Sequence, residues 1–252
     1  MNCKNCENQL QESANFCNDC GAKVISKRLT IKNLFIHFSE QFFNYDNTLL
    51  KTIKHLVISP ELVIDGFISG IRKRYINPVS FFAISITVAG LLVFLVRKFF
   101  EDQFSIDFMS ASEENPFIKD PKEIFEFQTL ISILSIPILA LISRIVFFNI
   151  KKYNYTEHLV IYMYTGALLT IISFFISLIV LSFGVNFFIF SYAFNVVMIL
   201  FNAYCLKRIF NLSLKSIILR TLGFFFLLLF FFVVIVIIGV IVGFLFRYLS
   251  SP

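Results

Sequence analysis

Cys3-x-x-Cys6 and Cys17-x-x-Cys20 place four thiols within the first twenty residues of the chain. Two pairs at that spacing suit one tetrahedral ion held by sulfur, and Zn²⁺ is the ion such ligands select. With Cys3, Cys6, Cys17 and Cys20 filling every coordination position, no place remains for water or substrate, so the expected site is structural and not catalytic. A segment this short cannot bury a core of its own. Metal binding must then supply its folding free energy, about 10–16 kcal/mol for structural zinc peptides near neutral pH. The same cysteines could instead form a redox pair or disulfides. The paired spacing, and the reducing compartment inferred below, favour zinc. Cys205 lies in an apolar run and reads as a packing residue.

Two further groups of residues carry charge where it could act. Arg72, Lys73 and Arg74 stand just before a long apolar stretch. Three adjacent cations at headgroup depth could hold a lipid phosphate or another anion, or could serve only as topogenic anchors. Glu157 and His158 open another apolar stretch. They could form a polar site, although helical neighbours point about 100° apart, which suits capping better than acid–base chemistry. Arg144 and Arg220 lie near the ends of apolar stretches and can snorkel.

The elements that must position these groups are set by composition. Of 252 residues, 58% are hydrophobic and 15% charged, with 35 Phe and no Trp. That balance belongs to an all-α integral membrane protein and not to a soluble domain. Stretches at about 79–96, 129–148, 159–183, 185–206 and 217–246 are each apolar enough to cross roughly 30 Å of hydrocarbon as a helix. Pro137 falls inside the second, where packed neighbours can tolerate it. Only a few residues around Gly184 and Asn186 separate the third from the fourth, which predicts a tight hairpin. The expected organisation is a zinc ribbon over 1–26, amphipathic juxtamembrane helices over 27–78, and five transmembrane helices over 79–252.

In the middle segment, Ile31, Leu34, Phe35, Phe38 and Phe42 recur at helical spacing, and Leu49, Leu50, Ile53, Leu56 and Val57 do so again beside Lys51, Lys54 and His55. Such helices either lie on an anionic leaflet or pack on the bundle. Ser59-Pro60-Glu61 predicts a third helix, with Ser as cap, Pro in the first turn and an acid near the positive end.

Basic residues orient the chain. The stretch from Lys27 to Arg74, with Lys151, Lys152, Lys207, Arg208 and Lys215, outweighs Arg97, Lys98, Lys119, Lys122 and Arg247 in the alternate segments. By the positive-inside rule the N-terminus is cytoplasmic, and five spans carry the C-terminus outside. The thiols then face a reducing compartment. The extreme N-terminus is polar and has no secretory-signal pattern, so the first span is expected to direct insertion.

Leu29-Thr30-Ile31-Lys32-Asn33-Leu34, the segment Asp46 to Thr52, Ser59-Pro60, the run Phe67 to Pro78 with Gly70, Arg72, Tyr75 and Pro78, and Glu157-His158-Leu159 resemble a family of bacterial membrane proteins, domain of unknown function 3667. The resemblance implies a zinc ribbon ahead of several spans and supplies no activity. The ribbon here ends Cys20-Gly21-Ala22 where the family commonly has Cys-Gly-Gln, and Glu61 follows Pro60 where a glycine is usual.

Function classes separate on what is missing. Ion-coupled transport needs acids or histidines deep in the bundle, and the centres of these stretches have none. An enzyme needs convergent nucleophile, base or metal groups, and three His in all do not assemble such a set. The acidic residues of 97–128 lack a calcium-loop pattern. Gly66 and Gly70 stand outside any span and read as helix-packing or flexible positions. The expected protein is a multi-pass cell (inner) membrane protein whose zinc ribbon docks a cytoplasmic protein partner, with nucleic acid disfavoured because a net charge of +6 serves topology. The alternative is a small-molecule or lipid transporter, or a lipid-headgroup-binding membrane protein.

Overall fold

A computed structural model describes residues 2–3, 6–9, 14–21, 48–100 and 128–250. The chain divides into two compact units, Met1–Asn47 and Thr48–Pro252. The expected helix over 31–42 and the acidic stretch 101–127 lie outside the described residues.

In the first unit the described backbone is turns, with one antiparallel bridge between Asn2 and Gln9. The regular elements among the described residues of the second unit are all helices: α1 (Thr48–Ile58), α2 (Pro60–Ile68), α3 (Pro78–Phe99), α4 (Gln128–Val146), α5 (Tyr155–Ser182), α6 (Phe187–Phe210) and α7 (Leu214–Ser250). Four of them, α3, α5, α6 and the Leu214–Val234 part of α7, are long and apolar enough to cross a membrane, and α4 adds a shorter apolar helix. Pro137 sits inside α4 without ending it. The α5–α6 hairpin is as tight as expected. Gly184 adopts φ +78°, and the Val185 N–H reaches back to the Val180 carbonyl, a left-handed helix end that glycine reaches without a Cβ penalty. Asn186 then caps α6, accepting from the N–H groups of Phe188 and Ile189.

Packing shows that the long helices alternate in direction. At one end the start of α3, the end of α4, the start of α5 and the end of α6 share a core of Tyr75, Phe81, Phe147, Ile161, Ile209 and Phe210. At the other, Val96 of α3 meets Leu181 of α5 and Phe187 of α6. Nearly half of the apolar window of α5 is buried (44%), against 17% for α3 and for α6, so α5 is the central strut. The outward faces of the others carry large exposed apolar side chains such as Phe94, Leu134, Ile189, Leu219 and Phe226, a surface that only lipid solvates well. Gly166 of α5 lets α4 approach closely: a Cβ there would lie 3.3 Å from Ile136 Cδ1.

The short helices pack on the bundle. Thr52 and Leu56 of α1 and Val63 and Ile64 of α2 are fully or almost fully buried. Leu50, Val57, Ile58 and Leu62 remain exposed, so α1 and α2 keep an outward apolar face as well. Ser59 differs from expectation. Its side chain makes no capping hydrogen bond; its carbonyl accepts from Leu62 N–H instead, and Pro60, whose nitrogen carries no hydrogen, begins the helix.

Candidate functional site

In the first unit the two cysteine pairs form matching turns. The Cys3 carbonyl accepts from Glu7 N–H (2.8 Å) and the Cys17 carbonyl from Gly21 N–H (2.9 Å). The residue after each pair is left-handed, with φ +63° at Glu7 and +68° at Gly21. Each turn presents its two sulfurs to the other. Cys3 Sγ lies 3.6 Å from Cys20 Sγ, and Cys6 Sγ lies 3.6 Å from Cys17 Sγ. All four sulfurs fall within 4.8 Å of one another. Sulfurs at the corners of a tetrahedron around zinc, with bonds of about 2.3 Å, stand roughly 3.8 Å apart. A disulfide would require about 2.05 Å, and all five cysteines are free thiols. Cys3 and Cys17 are buried, and the Asn8 side-chain amide donates to the Asp19 carboxylate, tying one turn to the other.

A cation between the four sulfurs would favour their ionisation. The Asn8 backbone N–H draws the Cys6 pKa down, but the Cys20 sulfur, partial burial and the sulfurs of Cys17 and Cys3 outweigh it and push it up to about 12. Four thiolates in this space repel one another unless a divalent ion sits between them. The donor set and spacing fit such an ion, held by Cys3, Cys6, Cys17 and Cys20.

The second unit fixes its polar groups at the end of the bundle where α1 and α2 pack. Ile76 N–H donates to Thr52 Oγ1 (3.1 Å), and Tyr164 Oη of α5 donates to the Ile76 carbonyl (2.6 Å). His55 Nδ1 and Tyr75 Oη share a hydrogen bond of 2.6 Å. Asp65 of α2 accepts from Tyr153 Oη and pairs with Lys152 (3.3 Å), while Glu61 pairs with Arg208 at the end of α6 (2.5 Å). The Arg208 guanidinium holds the Glu61 carboxyl below the usual carboxylate range despite partial burial. Burial, with the Asp65 carboxylate beside it, pushes the Tyr153 hydroxyl up. These bonds clamp the short hairpin; none of them positions a nucleophile.

Arg72, Lys73 and Arg74 are exposed in the loop between α2 and α3. Arg72 lies over the Phe67 ring and Arg74 over the Tyr75 ring, each 5.6 Å from the centroid. Glu157 and His158 do different things. Glu157 accepts from Asn154 N–H (2.6 Å) while Asn154 Oδ1 accepts from Glu157 N–H (2.9 Å), a reciprocal cap that starts α5 at Tyr155, four residues before the apolar run begins. His158 is fully buried, with Nδ1 bonded to Ser143 Oγ of α4 (3.0 Å) and the rings of Phe147, Tyr153 and Phe210 around it. Its Nε2 and Arg144 Nη1 are buried without hydrogen-bond partners.

A cavity of about 240 Å³ lies between α4, α5, α6 and α7, lined by Tyr162, Asn195, Asn202, Arg220 and Phe224 among others. The sequence shows Arg220 and the two asparagines as isolated polar residues in apolar runs, and only packing brings them to one cavity. The available signal was their one-sided clustering: Asn195 and Asn202 are seven residues apart, two turns along one face of a helix.

Residues 46–90 match the family model described as a protein of unknown function (DUF3667). That match runs from just ahead of α1 to the middle of α3, so it covers the clamped hairpin and the Arg72–Arg74 loop and not the cysteines. No curated protein and no solved structure matches the chain.

Proposed function

We propose that this membrane protein is an anchored interaction protein: a Zn²⁺-bound cysteine head serves as a cytoplasmic docking module, and the helical unit holds it at the cell membrane. The observation that carries the reading is the convergence of Cys3, Cys6, Cys17 and Cys20 in a unit distinct from the membrane helices. Zinc would supply the rigidity that so short a segment lacks, and the residues around the turns would supply the surface. A head closed to a fifth ligand presents shape and side chains, which is what recognition of another protein requires.

Orientation is supported by the alternation of the helices. Lys51, Lys54, Arg72, Lys73, Arg74, Lys152, Arg208 and Lys215 belong to segments at one end of the second unit, whereas Arg97 and Lys98 end α3 at the other. The basic end is the cytoplasmic one. There the exposed Arg72, Lys73 and Arg74 meet headgroup phosphates, each contributing about 1 kcal/mol against an anionic leaflet.

The test is crosslinking in living cells with the intact chain and with Cys17→Ser/Cys20→Ser. The reading expects crosslinked proteins to disappear from the double variant while its membrane insertion and level persist. An unchanged set of crosslinks would overturn docking through the head.

A further inference from the structure

The cavity between α4, α5, α6 and α7 has a charged end and an apolar end. At the charged end, Arg220 is half-buried in the second turn of α7. Its Nη1 donates to the Val146 carbonyl at the end of α4 (2.6 Å), and its guanidinium lies 5.0 Å from the centroid of Phe147. Both contacts fix the group in place, and neither neutralises it. Among the described residues the acids of this unit that form ion pairs are Asp65 and Glu61, and they are taken by Lys152 and Arg208. The guanidinium therefore presents a positive charge, with donors to spare, to a cavity between membrane helices. A half-buried cation with no acidic partner among the described residues, near the basic end of the bundle, is suited to hold an anion there.

Away from Arg220 the α7 wall becomes apolar. Phe224, Phe225 and Leu228 follow along α7, and Met198 and Leu139 face them from α6 and α4. Arg220 to Leu228 is eight residues, about 12 Å at 1.5 Å per residue. Asn195 and Asn202 stand with Met198 on the facing α6 wall, their amide nitrogens bonded to the Ser191 and Met198 carbonyls of their own helix (2.9 Å each). Their side-chain oxygens remain as acceptors.

A ligand that complements this cavity is anionic at one end and hydrocarbon at the other. A small soluble anion would satisfy the arginine and leave the apolar length empty; a neutral lipid would fill the length and leave the charge unmet. We propose that the cavity binds an anionic phospholipid, with its phosphate on Arg220 in the two-pronged geometry that guanidinium and phosphate favour, and an acyl chain along Phe224, Phe225 and Leu228. The bilayer supplies the ligand directly, because the cavity lies between helices whose outward faces contact lipid. The inference is independent of the docking head.

The full-length protein in a non-ionic detergent provides the test. Dioleoylphosphatidylglycerol, dioleoylphosphatidylcholine and inorganic phosphate are added separately, and thermal unfolding and lipid retained in native mass spectra are recorded. The phosphatidylglycerol arm alone is expected to raise the unfolding temperature and to leave one lipid bound. In Arg220→Gln retention should fall roughly tenfold, the scale of one lost charge-assisted contact. Thr221→Phe, which keeps the arginine but occupies cavity space, should lose retention equally, so the result stands even if the arginine variant folds poorly. Equal shifts from both lipids, a shift from inorganic phosphate alone, or phosphatidylglycerol binding that survives Thr221→Phe would overturn the proposal.

Discussion

A buried polar side chain is tolerated only when its partner is in place, and His158 shows how narrowly this bundle meets that condition. Its Nδ1 bond to Ser143 Oγ spans α5 and α4 at full burial. Replacing Ser143 by Ala removes the partner and leaves the imidazole in an aromatic enclosure with neither nitrogen satisfied. Thermal unfolding in detergent should then report a loss of about 1–3 kcal/mol, whereas Ser135→Ala on the same helix, whose hydroxyl bonds only to the Ser132 carbonyl of its own turn, should change little. The cysteines obey the same rule with charge added. A zinc site requires deprotonated thiols, so protons compete with the ion, and bound metal should be released progressively as pH falls.

The helices illustrate which elements a sequence reveals. Runs of Leu, Ile, Val and Phe long enough to cross hydrocarbon can hardly fold otherwise, so the long helices and the α5–α6 turn at Gly184 were readable without coordinates. Their ends were less so. The start of α5 at Tyr155 depends on Asn154 and Glu157 closing on one another, a polar device invisible to an apolar-run criterion. The placement of α1 was ambiguous for a different reason. Its periodicity suits either lipid or protein, and only the burial of Thr52 and Leu56 against the bundle decides for packing, while Leu50 and Val57 keep a share of apolar surface outside. Leu56→Ala should accordingly cost about 2–5 kcal/mol in unfolding, and Val57→Ala far less.

The clamp between α2 and α6 carries a pH dependence. Glu61 has a carboxyl pKa lowered by Arg208, so it contributes stability above the ordinary Glu value and loses that contribution as pH drops through the lowered one. Both side chains are partly exposed, so solvent screening keeps the pair's contribution small. Unfolding temperatures of the wild type and Glu61→Gln should differ slightly at neutral pH and converge in acid. A difference that grew in acid would contradict the assignment.

At the scale of the whole molecule, the parts that escape sequence reading are those made by residues far apart in the chain. Asp65 finds Lys152 and Tyr153, Glu61 finds Arg208, and Arg220 finds Phe147 and comes to share a cavity with two asparagines of α6 only once the helices alternate and pack. The thiols, in contrast, lie close in sequence, and their paired spacing already marks them as one cluster. The proposed orientation, with the N-terminus inside and the C-terminus outside, is tested at this scale. A reporter that is active only outside the cytoplasm should work when fused after Pro252 and fail when fused ahead of Met1. Zinc ligation is the premise from which the head's rigidity and its docking role follow, and X-ray absorption at the zinc edge on full-length protein purified under reducing conditions tests it most directly. The account predicts one zinc per chain with four sulfur neighbours at about 2.3 Å, lost in Cys17→Ser/Cys20→Ser. Protein that holds no zinc, or zinc surrounded by nitrogen and oxygen, would contradict it.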